Sequence, residues 1–397
     1  MSVRKREWIT PKGESKSAWV VDYVDSQGKR RLKTFSKKKE ADAFAATTSV
    51  EVREGVHVAD GASVTVEKAG KLWIASGETV GLERSTIDQR KSHLEHHIKP
   101  LIGGTLMSKL TVPGVRDFED KLRSNGRSPA MTKKVITSLG SIFADANERG
   151  LATRNPVRDI RGGRKGRERR AEKRQKGRVE VGVDIPTREE IKALVAALEG
   201  NWRPLLLTLI FTGMRSSELR ALRWQDVDFK RGEITVRQRV DQYKELGPPK
   251  SEAGVRTIPV PPLVVNALKG LKLKQSNQAS VVFANPDGDS RSHSNVVTKG
   301  LQPAMVRAGV TIPTGKLDKH GAPILKAKYT GLHALRHFYA SWLINRKEDG
   351  GLGLPPKMVQ ERLGHASIVM TMDVYGHLFP RGDDGVELAN AASALLT

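Results

Sequence analysis

The chain has 397 residues, with 68 Lys and Arg against 44 Asp and Glu, a formal net charge of +24 and a pI near 10.2. That length supports two or three domains, and so large a positive surplus calls for a polyanionic partner, nucleic acid first, with a ribosomal or membrane-surface role as the alternative on charge alone. There is no cysteine, which excludes disulfide frameworks and Cys-based metal sites. The strongest apolar run, residues 205–211, is far below membrane-spanning length, and the basic N-terminus lacks a secretion signal's apolar core. These features fit a bacterial cytoplasmic protein associated with the nucleoid, without a membrane partner.

Residues 1–58 read as a small unit. Ser17 to Val24 has strand composition, Ser26-Gln27-Gly28 supplies a turn, and Lys29 to Phe35 gives a second strand. Ser36 caps a helix with Ala41, Phe44, Ala45, Thr48 and Val52 in one stripe. Lys29, Arg30, Arg31 and Lys33, with Lys37 to Lys39, make this hairpin a candidate DNA-binding ribbon of major-groove size.

Residues 63–160 read as a helical bundle. Thr65 caps a helix holding Ala69, Leu72 and Trp73, and Ser85 caps a second holding Ile87 and Leu94. Pro100 and Gly103-Gly104 break the pattern. Helices over Val112 to Leu122 and Ala130 to Ala146 follow, and Asn155-Pro156 ends the unit. Residues 161–182 form a basic linker too charged to build a core; Arg167, Arg169, Arg170, Lys173 and Arg174 are its candidate phosphate contacts, giving affinity without base readout.

A third unit spans residues 183–397. Thr187 and Glu190 have capping-box spacing ahead of the stripe Ile191, Leu194, Val195, Leu198. Leu205 to Phe211 is apolar on all sides, so it is a buried helix. Gly213 ends it and delivers Arg215 to the next helix start, where free backbone N–H groups favour a phosphate. Ile234 to Arg239 and Val255 to Val260 read as strands with Lys250 in the turn between them, and the basic segment between Val310 and Tyr329 as an insertion or long loop. The expected fold class is multidomain and mainly α with small β elements: a hairpin–helix unit, a helical bundle and a mixed α+β domain.

The densest chemistry lies in Thr330 to Leu378. His333 and Arg336, at i and i+3, share a helix face; His365 follows Gly364, and Tyr375 stands ten positions further on. A tyrosine hydroxyl is a nucleophile, arginine a phosphate fork and histidine a proton exchanger, and together they suggest attack on a phosphodiester. His333 and His337, at i and i+4, also have zinc-ligand spacing, but no Glu follows His333 and no third ligand is evident. No metal or cofactor is expected.

This stretch resembles the tyrosine recombinases, the phage-integrase family, whose signature is H-x-x-R, L-G-H and a Tyr set in Y-G-H. Here these are His333 and Arg336, Leu363-Gly364-His365, and Tyr375-Gly376-His377. The family's upstream T-G-x-R-x-x-E-L corresponds to Thr212 through Leu219, and its hairpin lysine to Lys250. The resemblance runs in register over residues 187–380. It implies that Tyr375 forms a 3′-phosphotyrosine, that Arg215 and Arg336 neutralise the phosphodiester, and that Lys250 protonates the leaving 5′-oxygen. It further implies that His333 is the base beside Tyr375, that His365 hydrogen-bonds the phosphate and that Glu218 orients Arg215. It makes residues 63–160 a core-binding domain and residues 1–58 an arm-type DNA-binding domain. The partners implied are double-stranded attachment sites, four copies of this chain in a synapse, and DNA-bending and excision accessory proteins. A type IB topoisomerase would use the same chemistry to relax one duplex. A non-catalytic DNA-binding regulator on the same scaffold is the rival from another class.

Overall fold

The computed structural model describes residues 1–11, 13–25, 28–54, 63–160, 178–275, 281–380 and 384–396. Arg167, Arg169, Arg170, Lys173 and Arg174 of the linker lie outside these, as do Ser26 and Gln27 of the first turn. The chain divides into two compact units, Met1–Arg164 and Lys165–Thr397. It is mainly helical, with small sheets.

The first unit contains two separate apolar cores. In one, β1 (Ser2–Ile9), β2 (Ser15–Val24) and β3 (Arg30–Phe35) pair antiparallel in that order. Helix α1 (Lys38–Arg53) covers the sheet, burying Val21, Tyr23, Ala41 and Ala45. The sequence pointed to a two-stranded hairpin; the third strand, β1, is rich in charge but pairs with β2 from Ser2↔Asp22 to Ile9↔Ser15. Backbone pairing holds it, so its side chains give little hydrophobic signal. Ser36 does not cap α1: the N-cap is Lys37, without a side-chain cap, and the Ser36 hydroxyl faces Glu40 instead.

The second core is the helical bundle. The Thr65 hydroxyl accepts from the Lys68 N–H and starts α2 (Val66–Thr79). Helix α3 (Arg84–His93) begins two residues earlier than expected, with Glu83 at the N-cap, so Ser85 lies inside it. Pro100 does not break this helix. A π-helical stretch, Leu94–Ile98, precedes the final turn Lys99–Ile102, and Pro100 sits in that turn, directly after the wider π turn. Helices α4 (Val112–Ser124) and α5 (Pro129–Glu148) are capped by Thr111 and Ser128, and the Trp73, Leu94, Phe118, Leu139 and Phe143 side chains fill the centre.

In the second unit the Thr187–Glu190 capping box is made in both directions and starts α6 (Arg188–Ala196). Helix α7 (Trp202–Thr212) is the core's axis: Leu205, Leu206, Leu207, Leu209 and Ile210 are wholly buried. Helix α8 (Ser216–Arg220) follows directly. A small sheet has the order β4 (Val227–Asp228), β5 (Glu233–Val236), β8 (Arg256–Pro259). The strand expected to run to Arg239 stops at Val236; β6 (Arg239–Val240) pairs instead with β7 (Leu246–Gly247) as a separate ribbon. After α9 (Pro262–Lys274) and α10 (Gln302–Arg307), the supposed loop after Val310 is a bulged hairpin, β9 (Thr311–Leu317) with β10 (Pro323–Ala327). Three helices carry the final motifs, α11 (His333–Ile344), α12 (Pro356–Leu363) and α13 (Ile368–Tyr375), and α14 (Asp384–Leu396) follows them. No described helix is long and apolar enough to cross a membrane.

Candidate active site

Two glycine turns build the site. Gly213 terminates α7 in the left-handed region at φ 57°, and a Cβ there would press on the Tyr339 ring. Arg215 then caps α8. Its N–H donates to Glu218 Oε2 at 2.9 Å and its Nη1 to Oε1 at 2.8 Å. The Arg215 amide at this helix start is therefore taken by a carboxylate, not left open for phosphate as the sequence suggested. Glu218 is 2% exposed and also accepts from Arg256 Nη2 at 2.8 Å. Burial alone would raise its pKa, but the Arg256 and Arg215 charges outweigh it and hold the carboxyl below its usual value. Arg256 further donates to the carbonyls of Arg362 and Gly254.

The second turn is at Gly364, which ends α12 at φ 64°. A Cβ here would stand 2.8 Å from Arg256 Nη1 and 2.9 Å from Ala253 O, so the turn admits only glycine without rearrangement. Its carbonyl accepts from Arg215 Nη2 at 3.1 Å. Arg336, on α11, is 2% exposed and donates from Nη1 to Gly213 O and from Nη2 to Leu363 O, both at 2.6 Å. The two arginines are thus pinned by backbone carbonyls of both glycine turns. Burial, then the Arg215 and Arg256 charges, pushes the Arg336 pKa down to about 9, which leaves it a cation at neutral pH.

His365 follows Gly364 directly. Its backbone exchanges bonds with Gln360, and its Nδ1 lies 3.0 Å from the buried Thr371 hydroxyl. Burial and then the Arg336 charge push its pKa down to about 3, so the ring is neutral. In the tautomer whose Nδ1 accepts from Thr371, Nε2 carries the hydrogen and is available as a donor. The Tyr375 ring lies parallel to it within 3°, with centroids 6.3 Å apart. Tyr375 is 2% exposed, and burial, only partly offset by Arg336, raises its pKa to about 12. Its hydroxyl therefore holds its proton at rest. That hydroxyl lies 2.7 Å from Nδ1 of His337.

The structure thus brings Arg215, Glu218, His333, Arg336, His365 and Tyr375 together from α8, α11, the α12–α13 turn and α13. His333 reaches solvent and stands edge-on to His337, with ring centroids 4.5 Å apart. Lys250 is exposed, in the segment between β7 and the 3-10 turn Glu252–Gly254 whose carbonyls meet Arg256 and Gly364. The basic residues of the first unit are split by strand alternation. Arg31 is turned to the covered face and paired with Asp25, and Lys33 lies over the Phe44 ring. Arg30 lies on the open face beside Asp22, as do Arg4, Arg6 and Lys16, which the sequence reading left out. Lys29 precedes β3, and its N–H donates to Asp25.

Three site residues escaped sequence reasoning. By spacing His337 suggests only a zinc ligand, although its i, i+4 relation to His333 puts it on the same helix face. Thr371, four positions before Tyr375, had the same helical signal. Arg256 had none: its value comes from burial beside Glu218, which spacing does not reveal. A cavity of about 550 Å³ lined by Asn201, Phe283, Asn285 and Arg291, among others, shares no residue with this cluster.

Residues 186–381 match the phage integrase family and residues 66–163 the phage integrase central domain. The chain belongs to this family, the tyrosine recombinases. It is similar to the XerC-like tyrosine recombinase of Caldanaerobacter subterraneus subsp. tengcongensis, 28% identical over 379 residues, or 90% of each chain. In fold it is similar to the Tn1549 transposon integrase in complex with a circular intermediate DNA, with a TM-score of 0.60 at 19% identity, covering 84% of this chain and 100% of that one. It also resembles the lambda integrase tetramer bound to a Holliday junction, with a TM-score of 0.52 at 18% identity over 91% of this chain and 95% of that one.

Proposed function

We infer that this protein is a site-specific recombinase of a phage or other mobile element, cleaving and rejoining DNA through a 3′-phosphotyrosine on Tyr375. The observation that carries the reading is the convergence of two buried-carbonyl-pinned arginines and a neutral histidine on one sheltered tyrosine. A phosphodiester repels nucleophiles because it is anionic. Arg215 and Arg336 supply fixed positive charge where the pentavalent transition state gains negative charge, and they need no reorganisation to do so. His365 donates from Nε2 to a non-bridging oxygen. Lys250, on its exposed segment, closes over the DNA and protonates the 5′-oxygen, which is otherwise a poor leaving group. The covalent link conserves the bond energy, so ATP and metal have no task.

Each protomer cuts one strand, so exchange between two duplexes takes four protomers. The relative crystallised as a tetramer on a Holliday junction supports that count. The partners are then double-stranded attachment sites and other copies of this chain. DNA-bending and excision proteins act through flanking sites bound by residues 1–58. The work takes place in the cytoplasm, on the chromosome.

The test is recombination between two supercoiled or linear DNAs carrying the candidate attachment sequences, in EDTA and without ATP. Joined products confined to those sequences are expected. Relaxation of any supercoiled plasmid without site preference or synapsis would replace this reading with a type IB topoisomerase.

A further inference from the structure

We propose that His337 takes the proton from the Tyr375 hydroxyl during strand cleavage and returns it during rejoining. The proposal rests on the reading of Tyr375 as nucleophile. Its ground is geometric: Nδ1 of His337 lies 2.7 Å from Tyr375 Oη, within the reach of direct proton transfer. His333, the base that the family resemblance implies, meets His337 ring to ring, with centroids 4.5 Å apart. The two residues share a face of α11, one turn apart, so a helix that presents one presents the other.

The groups around His337 fix its resting state. His333 and Arg336 face it from its own helix, Tyr375 from α13, and Asp184 acts on it from the segment before α6. Burial, then the His333 and Arg336 fields, push its pKa down to about 4, with Asp184 opposing. The imidazole is therefore neutral, and in the tautomer with its hydrogen on Nε2 the Nδ1 lone pair accepts the tyrosine hydrogen. An incoming phosphodiester brings negative charge, which favours the imidazolium at the moment it forms. In cleavage the Oη–P bond forms, the P–O5′ bond breaks, and the tyrosine proton moves to Nδ1. The 5′-oxygen receives a different proton, from Lys250. In rejoining the 5′-hydroxyl attacks and gives its proton back to Lys250, the P–O5′ bond forms, the Oη–P bond breaks, and Nδ1 returns its proton to Oη. No oxidant or reductant is involved.

The experiment is single-turnover cleavage of a suicide substrate with a bridging sulfur in place of the 5′-oxygen. A sulfur leaving group needs no proton, so the rate reports proton removal from Tyr375. His337→Asn retains a hydrogen-bonding group but cannot accept a proton. It should slow this cleavage about 10²- to 10⁴-fold and flatten the acid limb of the pH profile, while His333→Asn retains that limb. Cleavage by His337→Asn within about threefold of wild type, with the same pH profile, would overturn the proposal. If His337→Asn binds DNA poorly, His337→Ala with added imidazole decides: restored cleavage supports the role, and no restoration refutes it. Adducts formed by Tyr375→Phe would instead refute the nucleophile, a separate result.

Discussion

Glu218 is the residue on which the charge balance of the site turns. It is an almost fully buried carboxylate between Arg215 and Arg256, with side chains of Arg256 and Glu218 only 6% and 2% exposed. Removing Arg256 leaves this buried carboxylate to Arg215 alone, whose side chain is 36% exposed. Arg256→Ala should therefore destabilise the protein by about 3–5 kcal/mol, read as a lowered urea midpoint with little change in slope. A loss below about 1 kcal/mol would show the pair to be dispensable. The histidines set the pH dependence. His337 and His365 have folded pKa values of about 4 and about 3, below the ordinary histidine value. As pH falls from about 6.5, the unfolded chain binds protons that the folded chain refuses, so stability is complete above that pH and declines toward about 4. His365→Asn should reduce that decline, measured by urea titration at several pH values. An unchanged slope would mean that the folded ring protonates freely. Much of this cluster was legible in the sequence: His333, Arg336, His365 and Tyr375 stand out by residue type and spacing, and Arg215 by the resemblance to the family's T-G-x-R-x-x-E-L motif. What spacing could not supply was which nitrogen meets which oxygen, and so His337 was passed over in favour of His333.

At the scale of elements, helices with strong caps and continuous apolar stripes could be read directly, as in the Thr187–Glu190 box and the wholly apolar α7. Elements held by backbone pairing could not. Strand β1 carries Arg4, Lys5, Arg6 and Glu7 with almost no alternation to betray it, and β9–β10 hides behind Pro313, Gly315 and Pro323. Adding β1 changes which face of the first unit is fit to meet DNA. The open face offers Arg4, Arg6, Lys16 and Arg30, with Trp8 on the same side, while Arg31 and Lys33 are engaged on the helix side. If residues 1–58 bind accessory arm sites, Arg4→Gln with Arg6→Gln should weaken arm-site binding more than Lys33→Gln does, in gel-shift titrations. A fragment starting near Ala62 should still cleave core sites while losing footprints away from the crossover. Equal footprints for both proteins would reject the arm-binding role, and an insoluble fragment would show the segment to be structural.

For the whole molecule, the net charge of +24 sets the affinity and its salt dependence. The log of the binding constant should fall with log salt by about 0.9 per phosphate neutralised. Replacing Arg167, Arg169, Arg170, Lys173 and Arg174 by Gln should make that slope shallower and weaken specific and non-specific binding alike. An unchanged slope would mean that the linker only solubilises. Strand cleavage itself turns on a single oxygen atom, Oη of Tyr375. Trapping the protein on a nicked suicide substrate, digesting the adduct and sequencing the DNA-linked peptide by mass spectrometry locates that atom directly. The nucleotide should be found on Tyr375, at a 3′-phosphate, and no adduct should form with Tyr375→Phe. A nucleotide on Tyr339, Tyr329, Tyr243 or Tyr23, or an adduct that survives the substitution, would contradict the account.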